Sequence, residues 1–417
     1  LTYRFIHTAD IHLDSPLKSL ALRHPGLSEL IGNATRQVFG RIIDLCLDEG
    51  VDALVIAGDL YDGSQTSMKT ARFLVQQFTR LQAAGIAVYM IRGNHDAEAR
   101  ITRELVFPET VKVFGAKAEV VMVEKGALRI ALHGISFAKP HAPESLLDRF
   151  KPAVTGAVNV GILHTSLVGP SGHDPYAPCT VYDLHATGFD YWALGHVHLR
   201  ADHAGRATVV MPGNPQGRDI GEAGAKSVTL VTVADDGRLS VETRPTAIAR
   251  FERLPVDLDG ATDWREATGR VETAIRRART AFDEEHLVLR PVLQGQTPLA
   301  WQILRDLDLL TEQAVAVSEA LGTVWIDKVE NGCTGGTALV SGALAELAQM
   351  VDTAALNPAV LAALEDEAAR LLHVVPRELR DMLGTDPAAV TARNLTLLHA
   401  GAAEIMARLA GAEGAEP

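Results

Sequence analysis

Tyr89-Met90-Ile91-Arg92-Gly93-Asn94-His95-Asp96 is an apolar run that stops at a glycine and then delivers an amide, an imidazole and a carboxylate in consecutive positions. Val88 to Ile91 is too short for its period to separate helix from strand, but the β-branched residues and the abrupt glycine favour a strand buried on both faces. A turn holding three polar functional groups with nothing apolar between them is costly unless something binds there. Taken alone, Gly93 to Asp96 also fits an Asx turn carrying a surface histidine. The rest of the chain decides between the two.

Four other apolar runs end in the same way. Tyr3 to Ile6 runs into His7-Thr8-Ala9-Asp10-Ile11-His12, and Ala53 to Ala57 into Gly58-Asp59-Leu60-Tyr61-Asp62. Val158 to Leu163 runs into His164, and Tyr191 to Leu194 into Gly195-His196-Val197-His198. Open α/β sheets bind ligands outside the carboxyl ends of their strands, so five strands would aim these groups at one place. Helical periods over Asn33–Glu49 and Thr66–Leu81 read as crossover helices. Val120 to Phe137 reads as hairpins, and Ser227–Val233 followed by Asp235-Asp236-Gly237 as an antiparallel closing hairpin. The first 250 residues thus predict an α/β sandwich.

After Ala249 the pattern changes. Leu254–Leu258 reads as a strand, Trp264 to Phe282 as a helix, His286–Leu293 as a strand, Thr297-Pro298 as the start of a helix reaching Leu321, and Thr323–Val329 as a last strand. This is a compact βαβαβ domain over 251–334. Gly335-Gly336 then separates an alanine- and leucine-rich helical segment, 335–417, whose Gly/Ala/Glu tail from Gly411 is expected to be disordered. A chain of 417 residues is too long for one core, in keeping with three such domains.

The chain has no 18-residue apolar run and begins on a strand pattern, which predicts a soluble protein with no membrane segment. Its three cysteines, Cys46, Cys179 and Cys333, show no CxxC spacing, which excludes a zinc knuckle or disulfide framework and suits a reducing cytoplasm. The net charge of −13 argues against a nucleic-acid partner. However, residues 1–250 carry 25 basic and 26 acidic side chains, so the excess acid lies mostly beyond them. That weakens a DNA reading without excluding it.

Asp10, His12, Asp59, Asn94, His164, His196 and His198 offer only carboxylate, imidazole and amide donors, a set suited to manganese, iron or zinc. Seven donors are too many for one tetrahedral ion and fit two ions sharing a carboxylate. Such a pair clamps the attacking and leaving oxygens of an in-line displacement at phosphorus. The pattern therefore predicts phosphoester hydrolysis by a metal-activated water.

The ordered set Asp10-Ile11-His12, Gly58-Asp59-Leu60-Tyr61-Asp62, Gly93-Asn94-His95-Asp96, His164 and Gly195-His196-Val197-His198 resembles the calcineurin-like metallophosphoesterase superfamily. More closely it resembles the DNA-repair branch of SbcD-type exonucleases that work with an SMC-like ATPase. Thr8 to Asp14 and Pro212-Gly213-Asn214-Pro215-Gln216-Gly217-Arg218 add to the resemblance, which covers residues 1–250 well and the later domains weakly. Gly63-Ser64 and Asp96 depart from the protein phosphatase branch, which has Arg-Gly and glutamate there. The resemblance implies a calcineurin-like β-sandwich flanked by helices, with a smaller α/β capping domain and a C-terminal helical segment. One ion would be held by Asp10, His12, Asp59 and His198, the other by Asp59, Asn94, His164 and His196, with manganese the expected metal. His95 would act on the leaving oxygen, with Asp96 orienting its ring. Asp62 follows the bacterial pattern, where archaeal and eukaryotic members tend to have histidine, and is given no catalytic role.

His7, His133, His141, His173, His185 and His203 lack such context and are assigned to packing or surface. Arg265, Arg276 and Arg279 share a helix face with Glu272, which fits a DNA-backbone contact or a solvated charge ladder. The expected activity is a manganese-dependent DNA exonuclease/endonuclease. Its rivals are a phosphoesterase acting on a small nucleotide or phosphoprotein, and a non-catalytic scaffold for an ATPase. The expected partners are DNA and an SMC-like ATPase docked through the C-terminal helices, whose first apolar stripe is Val340, Leu344, Leu347 and Val351; a homodimer is left open.

Overall fold

The computed structural model describes residues 1–15, 32–63, 67–98, 106–167, 176–334, 346, 349–350, 353, 357–374 and 387–413. His173, Gly335-Gly336 and the stripe Val340, Leu344, Leu347 and Val351 lie outside the described residues. The chain divides into two compact units, Leu1–Glu252 with Asp283–Val288, and Arg253–Phe282 with Leu289–Pro417.

The first unit holds β1 (Tyr3–Thr8), β2 (Ala53–Ala57), β3 (Ala87–Ile91), β4 (Val111–Val113), β5 (Glu119–Lys125), β6 (Leu128–Gly134), β7 (Val158–His164), β8 (Tyr191–Gly195), β9 (Ala201–His203), β10 (Thr208–Met211), β11 (Ser227–Val233) and β12 (Leu239–Pro245). Its helices are α1 (Ala34–Asp48), α2 (Met68–Ala83), α3 (Asn94–Glu98) and α4 (Val181–Ala186). They form two six-stranded sheets, ordered β12-β11-β1-β2-β3-β4 and β5-β6-β7-β8-β10-β9. Strands β1 to β4 are parallel, with α1 and α2 in the crossovers β1–β2 and β2–β3. The antiparallel hairpin β11–β12 closes the first sheet against β1.

Period-two alternation builds the sandwich. In β2, Ala53, Val55 and Ala57 face the second sheet, while Leu54 and Ile56 pack under α1 and α2 with Val38, Ile42, Leu74 and Phe78. Tyr89 and Ile91 of β3 alternate with Val88 and Met90 in the same sense. A third apolar layer, with Trp192, Leu163 and Phe189, covers the far face of the second sheet. Strands buried on both sides are the reason their sequences read as continuous apolar runs. The expected sandwich and its closing hairpins are therefore observed.

The second unit contains most of a four-stranded sheet, β13 (Ala249–Asp257), β14 (His286–Gln296), β15 (Val324–Ile326) and β16 (Glu330–Thr334), in which β16 pairs parallel with β14. Its helices are α5 (Trp264–Ala281), α6 (Ala300–Arg305), α7 (Leu307–Leu321), α8 (Pro358–Val374) and α9 (Pro387–Glu413). The single helix expected up to Leu321 is two, broken at Asp306, and β16 is an additional strand. Helix α9 packs against α6 and α8 and continues to Glu413, past the expected start of the tail. On α5, Arg276 pairs with Glu272 at 2.8 Å and Arg279 donates to the Phe282 carbonyl, as a solvated ladder would. No described helix is long and apolar enough to cross a membrane.

Candidate metal centre

The loops after β1 and β2 lie side by side: Asp10 N–H donates to Gly58 O at 3.1 Å, His12 N–H to Asp59 O at 3.1 Å and Leu13 N–H to Leu60 O at 3.0 Å. This places two carboxylates and an imidazole on one edge, all but sealed from solvent. The backbone is strained to do so. Asp10, His12, Asp59 and His196 have φ of 51°, 47°, 51° and 107°, and such conformations cost side-chain-bearing residues about 1–3 kcal/mol each. Four outliers among seven candidate ligands locate stored strain at the site. Further hydrogen bonds hold the loops together. His196 N–H donates to both Asp10 oxygens at 3.0 and 2.9 Å, and His95 N–H to Asp59 Oδ1 at 3.0 Å. Gly93 is required by close approach, because a Cβ there would overlap Asp59 Oδ1 and lie 2.8 Å from the His164 ring.

The imidazole orientations test whether the site fits metal. His164 Nδ1–H donates to Ala57 O at 2.9 Å, which leaves its Nε2 lone pair 3.3 Å from Asp59 Oδ2 and 3.0 Å from Asn94 Oδ1. His12 Nδ1–H donates to Asp62 Oδ1 at 3.3 Å, and His198 Nδ1–H to Glu222 Oε1 at 2.7 Å. Their Nε2 lone pairs consequently face one another at 3.2 Å, with Asp10 Oδ1 4.0 Å from that of His198. Lone pairs converging on buried carboxylates repel unless a proton or a cation stands between them. Asp10, His12 and His198 form one such group, and Asp10, Asp59 and His164 another. The donors are oxygen and nitrogen throughout, so the residues fit two divalent ions. The His196 ring stands 5.2 Å centroid to centroid from that of His164.

The electrostatics of the chain's own groups follow from burial and neighbouring charge. Burial pulls His164 down, but Asp59 outweighs it and the imidazole is pushed up to about 9. Burial raises Asp59, yet His164 and His12 hold its carboxyl well below the usual range. His196 is pushed down to about 4 by burial and by His164, and His12 is lowered chiefly by burial.

His95 stands at the rim of this cluster, half-buried, its ring 4.8 Å from that of His12. Asp96, expected to orient the His95 ring, lies among backbone amides. Its carboxylate accepts from the backbone amides of Leu60 at 3.3 Å, Tyr61 at 3.0 Å and Gly93 at 3.1 Å, tying the β2 and β3 loops together, and burial beside Asp59 pushes it up to about 6. Asp62 meets the His95 ring, with Nδ1 3.5 Å from Oδ1, and the same oxygen serves His12. Glu222 behind His198, Phe137 edge-on to His164 at 5.5 Å and Tyr176 against His196 at 4.9 Å were not singled out by the sequence. They stand 20 or more positions from the side chain each touches, beyond any local spacing signal. Outside the site, His7 bonds Tyr191 and Leu194 and His133 bonds Asn159 in the core, while His141 is exposed.

The chain is similar to several known proteins. Residues 3–200 match the family described as Calcineurin-like phosphoesterase, and residues 251–334 match Metallophosphoesterase YhaO, middle domain. The uncharacterized metallophosphoesterase YhaO of Bacillus subtilis (strain 168) is 34% identical over 321 residues, 76% of this chain and 77% of that protein. The chain belongs to the calcineurin-like metallophosphoesterase family, hydrolases of phosphoesters. More distant relatives include the DNA double-strand break repair protein Mre11 of Sulfurisphaera tokodaii, 23% identical over 312 residues (70% of this chain, 74% of that protein). The Mre11 of Methanopyrus kandleri is 25% identical over 233 residues (51% and 49%).

Proposed function

We propose that this metallophosphoesterase is a two-metal DNA nuclease of the SbcD/Mre11 type, hydrolysing phosphodiester bonds in double-strand-break repair, with manganese as its metal. The observation that carries the reading is the length of similarity to a protein named for DNA break repair. It extends over 312 residues, well past the part that matches the phosphoesterase family. A small-substrate phosphoesterase needs only the first unit. The intact donor set and His95 at its rim count against a non-catalytic scaffold.

When bound, a pair of divalent ions supplies the positive charge that polarises the phosphodiester and activates water. The chain's own residues do the rest. Asp59 joins the two halves of the site, touching the loop of His95 through one oxygen and His164 through the other. His95, near Asp62, is the group proposed to give a proton to the leaving oxygen. The strained loops fix these groups before substrate arrives, so little reorganisation accompanies the reaction.

The proposed partner beyond DNA is an SMC-like ATPase reached through α8 and α9. Val360, Leu397 and Ile405 stay exposed on these helices, which supports a docking face for a partner helix. The test of the activity is the purified full chain with manganese on labelled single- and double-stranded DNA, beside nucleoside monophosphates and a phosphopeptide. Cleavage of internucleotide bonds is expected. Turnover of only the small substrates or the phosphopeptide would replace the nuclease reading with the phosphoesterase one.

A further inference from the structure

The run Pro212 to Arg218 has no role in the reaction described above, yet it wraps the last ligand. Asn214 N–H donates to His198 O at 3.3 Å, as does Lys226 Nζ at 3.3 Å. Gly213 makes the approach feasible: its φ is 73°, and a Cβ there would stand 2.7 Å from the same carbonyl. The run leads into a 3-10 turn, Ile220–Glu222, that delivers a carboxylate behind the imidazole. Glu222 Oε1 accepts from His198 Nδ1–H at 2.7 Å and from Arg218 Nη2 at 2.5 Å. Its other oxygen accepts from Asn214 Nδ2 at 2.8 Å and Arg218 N–H at 2.8 Å, and Arg218 Nε reaches both oxygens at 3.1 and 3.2 Å. The side chain is 12% exposed and is fixed by donors on every side.

Two consequences follow from this bonding. A carboxylate oxygen only accepts, so a nitrogen 2.7 Å away must carry the hydrogen; His198 is locked as the Nδ1–H tautomer with its Nε2 lone pair facing Asp10 and His12. Arg218 Nη2 also lies 3.1 Å from His198 Nδ1, but that nitrogen's hydrogen is already committed to Glu222, so the guanidinium serves the carboxylate. A ring free to flip or to change tautomer would present a hydrogen to the cation instead of a lone pair. Outer carboxylates of this kind typically change metal affinity by about 10–100-fold.

We infer that Glu222, braced by Arg218 and Asn214, is a positioning residue that fixes the tautomer and ring orientation of His198 and thereby sets the affinity of one of the two metal positions. The inference rests on His198 being a ligand, and not on the identity of the substrate.

The test uses the full chain in two parts. In metal-free protein with selectively 15N-labelled histidine, assigned with His198→Ala, wild type should show His198 as Nδ1–H, and Glu222→Ala should move it to a tautomer mixture or to Nε2–H. Glu222→Gln, which keeps an oxygen acceptor, should hold the wild-type tautomer. Calorimetric titration with Mn2+ should then find one of two sites weakened about 10–100-fold in Glu222→Ala, the other unchanged, and most of the loss restored in Glu222→Gln. An unchanged tautomer, unchanged Mn2+ affinity at both sites, or loss of both sites together with a lowered metal-free melting temperature overturns the inference. If the tautomer shifts but His198→Ala itself binds Mn2+ normally, the ligand assignment of His198 fails instead.

Discussion

Replacing His95 by alanine separates binding from chemistry. The side chain is 39% exposed, so its loss should cost folding about 1 kcal/mol or less. Its backbone amide donates to Asp59 Oδ1 at 3.0 Å and alanine keeps that amide, while its ring meets Asp62 and lies beside His12, both of which alanine leaves in place. Manganese content, measured by plasma mass spectrometry after gel filtration, should therefore remain that of the wild type. A positioned general acid contributes about 10²–10⁴ in rate, or about 3–5 kcal/mol of barrier. The kcat on labelled duplex DNA should fall in that range with KM little altered, the sign of a group that acts on the transition state. The leaving group supplies a sharper discrimination. A sugar alkoxide needs a proton as it departs, whereas p-nitrophenolate is stable without one, so the variant should lose about ten-fold or less on bis-p-nitrophenyl phosphate. Equal losses on both substrates would make His95 an electrostatic support for the phosphorane-like transition state and refute proton donation. Loss of metal would make it part of the ligand framework.

Asp59→Asn preserves the acceptor for His95 N–H but removes the buried charge between His164 and His12. Metal content should fall below two ions per chain and hydrolysis by about a hundred-fold or more, and a variant with two ions and normal turnover takes Asp59 out of the bridging position. His7 is wholly buried between Tyr191 OH and Leu194 O, and burial drives its imidazole down to about 3. Between pH 6.5 and 3 the unfolded chain thus binds a proton that the folded chain refuses, so stability from this residue is complete above 6.5 and declines on acidification by up to about 1.4 kcal/mol per pH unit. Urea unfolding of His7→Gln at pH 6.0, 5.25 and 4.5 should show a fall shallower by that amount, and parallel slopes would mean His7 is charged in the fold. If the proposed ATPase docks on α8 and α9, ending the chain after Thr334, the last residue of β16, should leave manganese-dependent hydrolysis intact and abolish copurification with that proposed partner; an insoluble product would show that α8 and α9 belong to the chain's own core.

What could be read from the chain and what could not divide along a physical line. A strand buried on both faces must be a continuous apolar run, and the polar group that follows can only be at its carboxyl end. Asp10, Asp59, Asn94, His164 and His196 were visible for that reason, without knowing which strand pairs with which. Partnership between side chains is different, because it depends on turns whose geometry the sequence encodes weakly. Asp96 follows His95 directly, yet consecutive residues of a short helix point about 100° apart, and Asp96 turns inward to the amides of Leu60, Tyr61 and Gly93. Asp62, from the neighbouring loop, lies beside His95, where Asp96 and Asp59 tie the β2 and β3 loops together. Strand β16 was invisible for a related reason. Glu330-Asn331-Gly332-Cys333-Thr334 has little intrinsic strand preference, and its conformation is supplied by the edge of β14 that it pairs with. Glu222 combines both obstacles: it is 24 positions from His198, on a turn, and its function is expressed only through another residue. Sequence patterns therefore expose groups that touch the ligand sooner than groups that hold them. The strain at Asp10, His12, Asp59 and His196 suggests where more of the second kind belong, since loops kept in such conformations need neighbours that over-determine them.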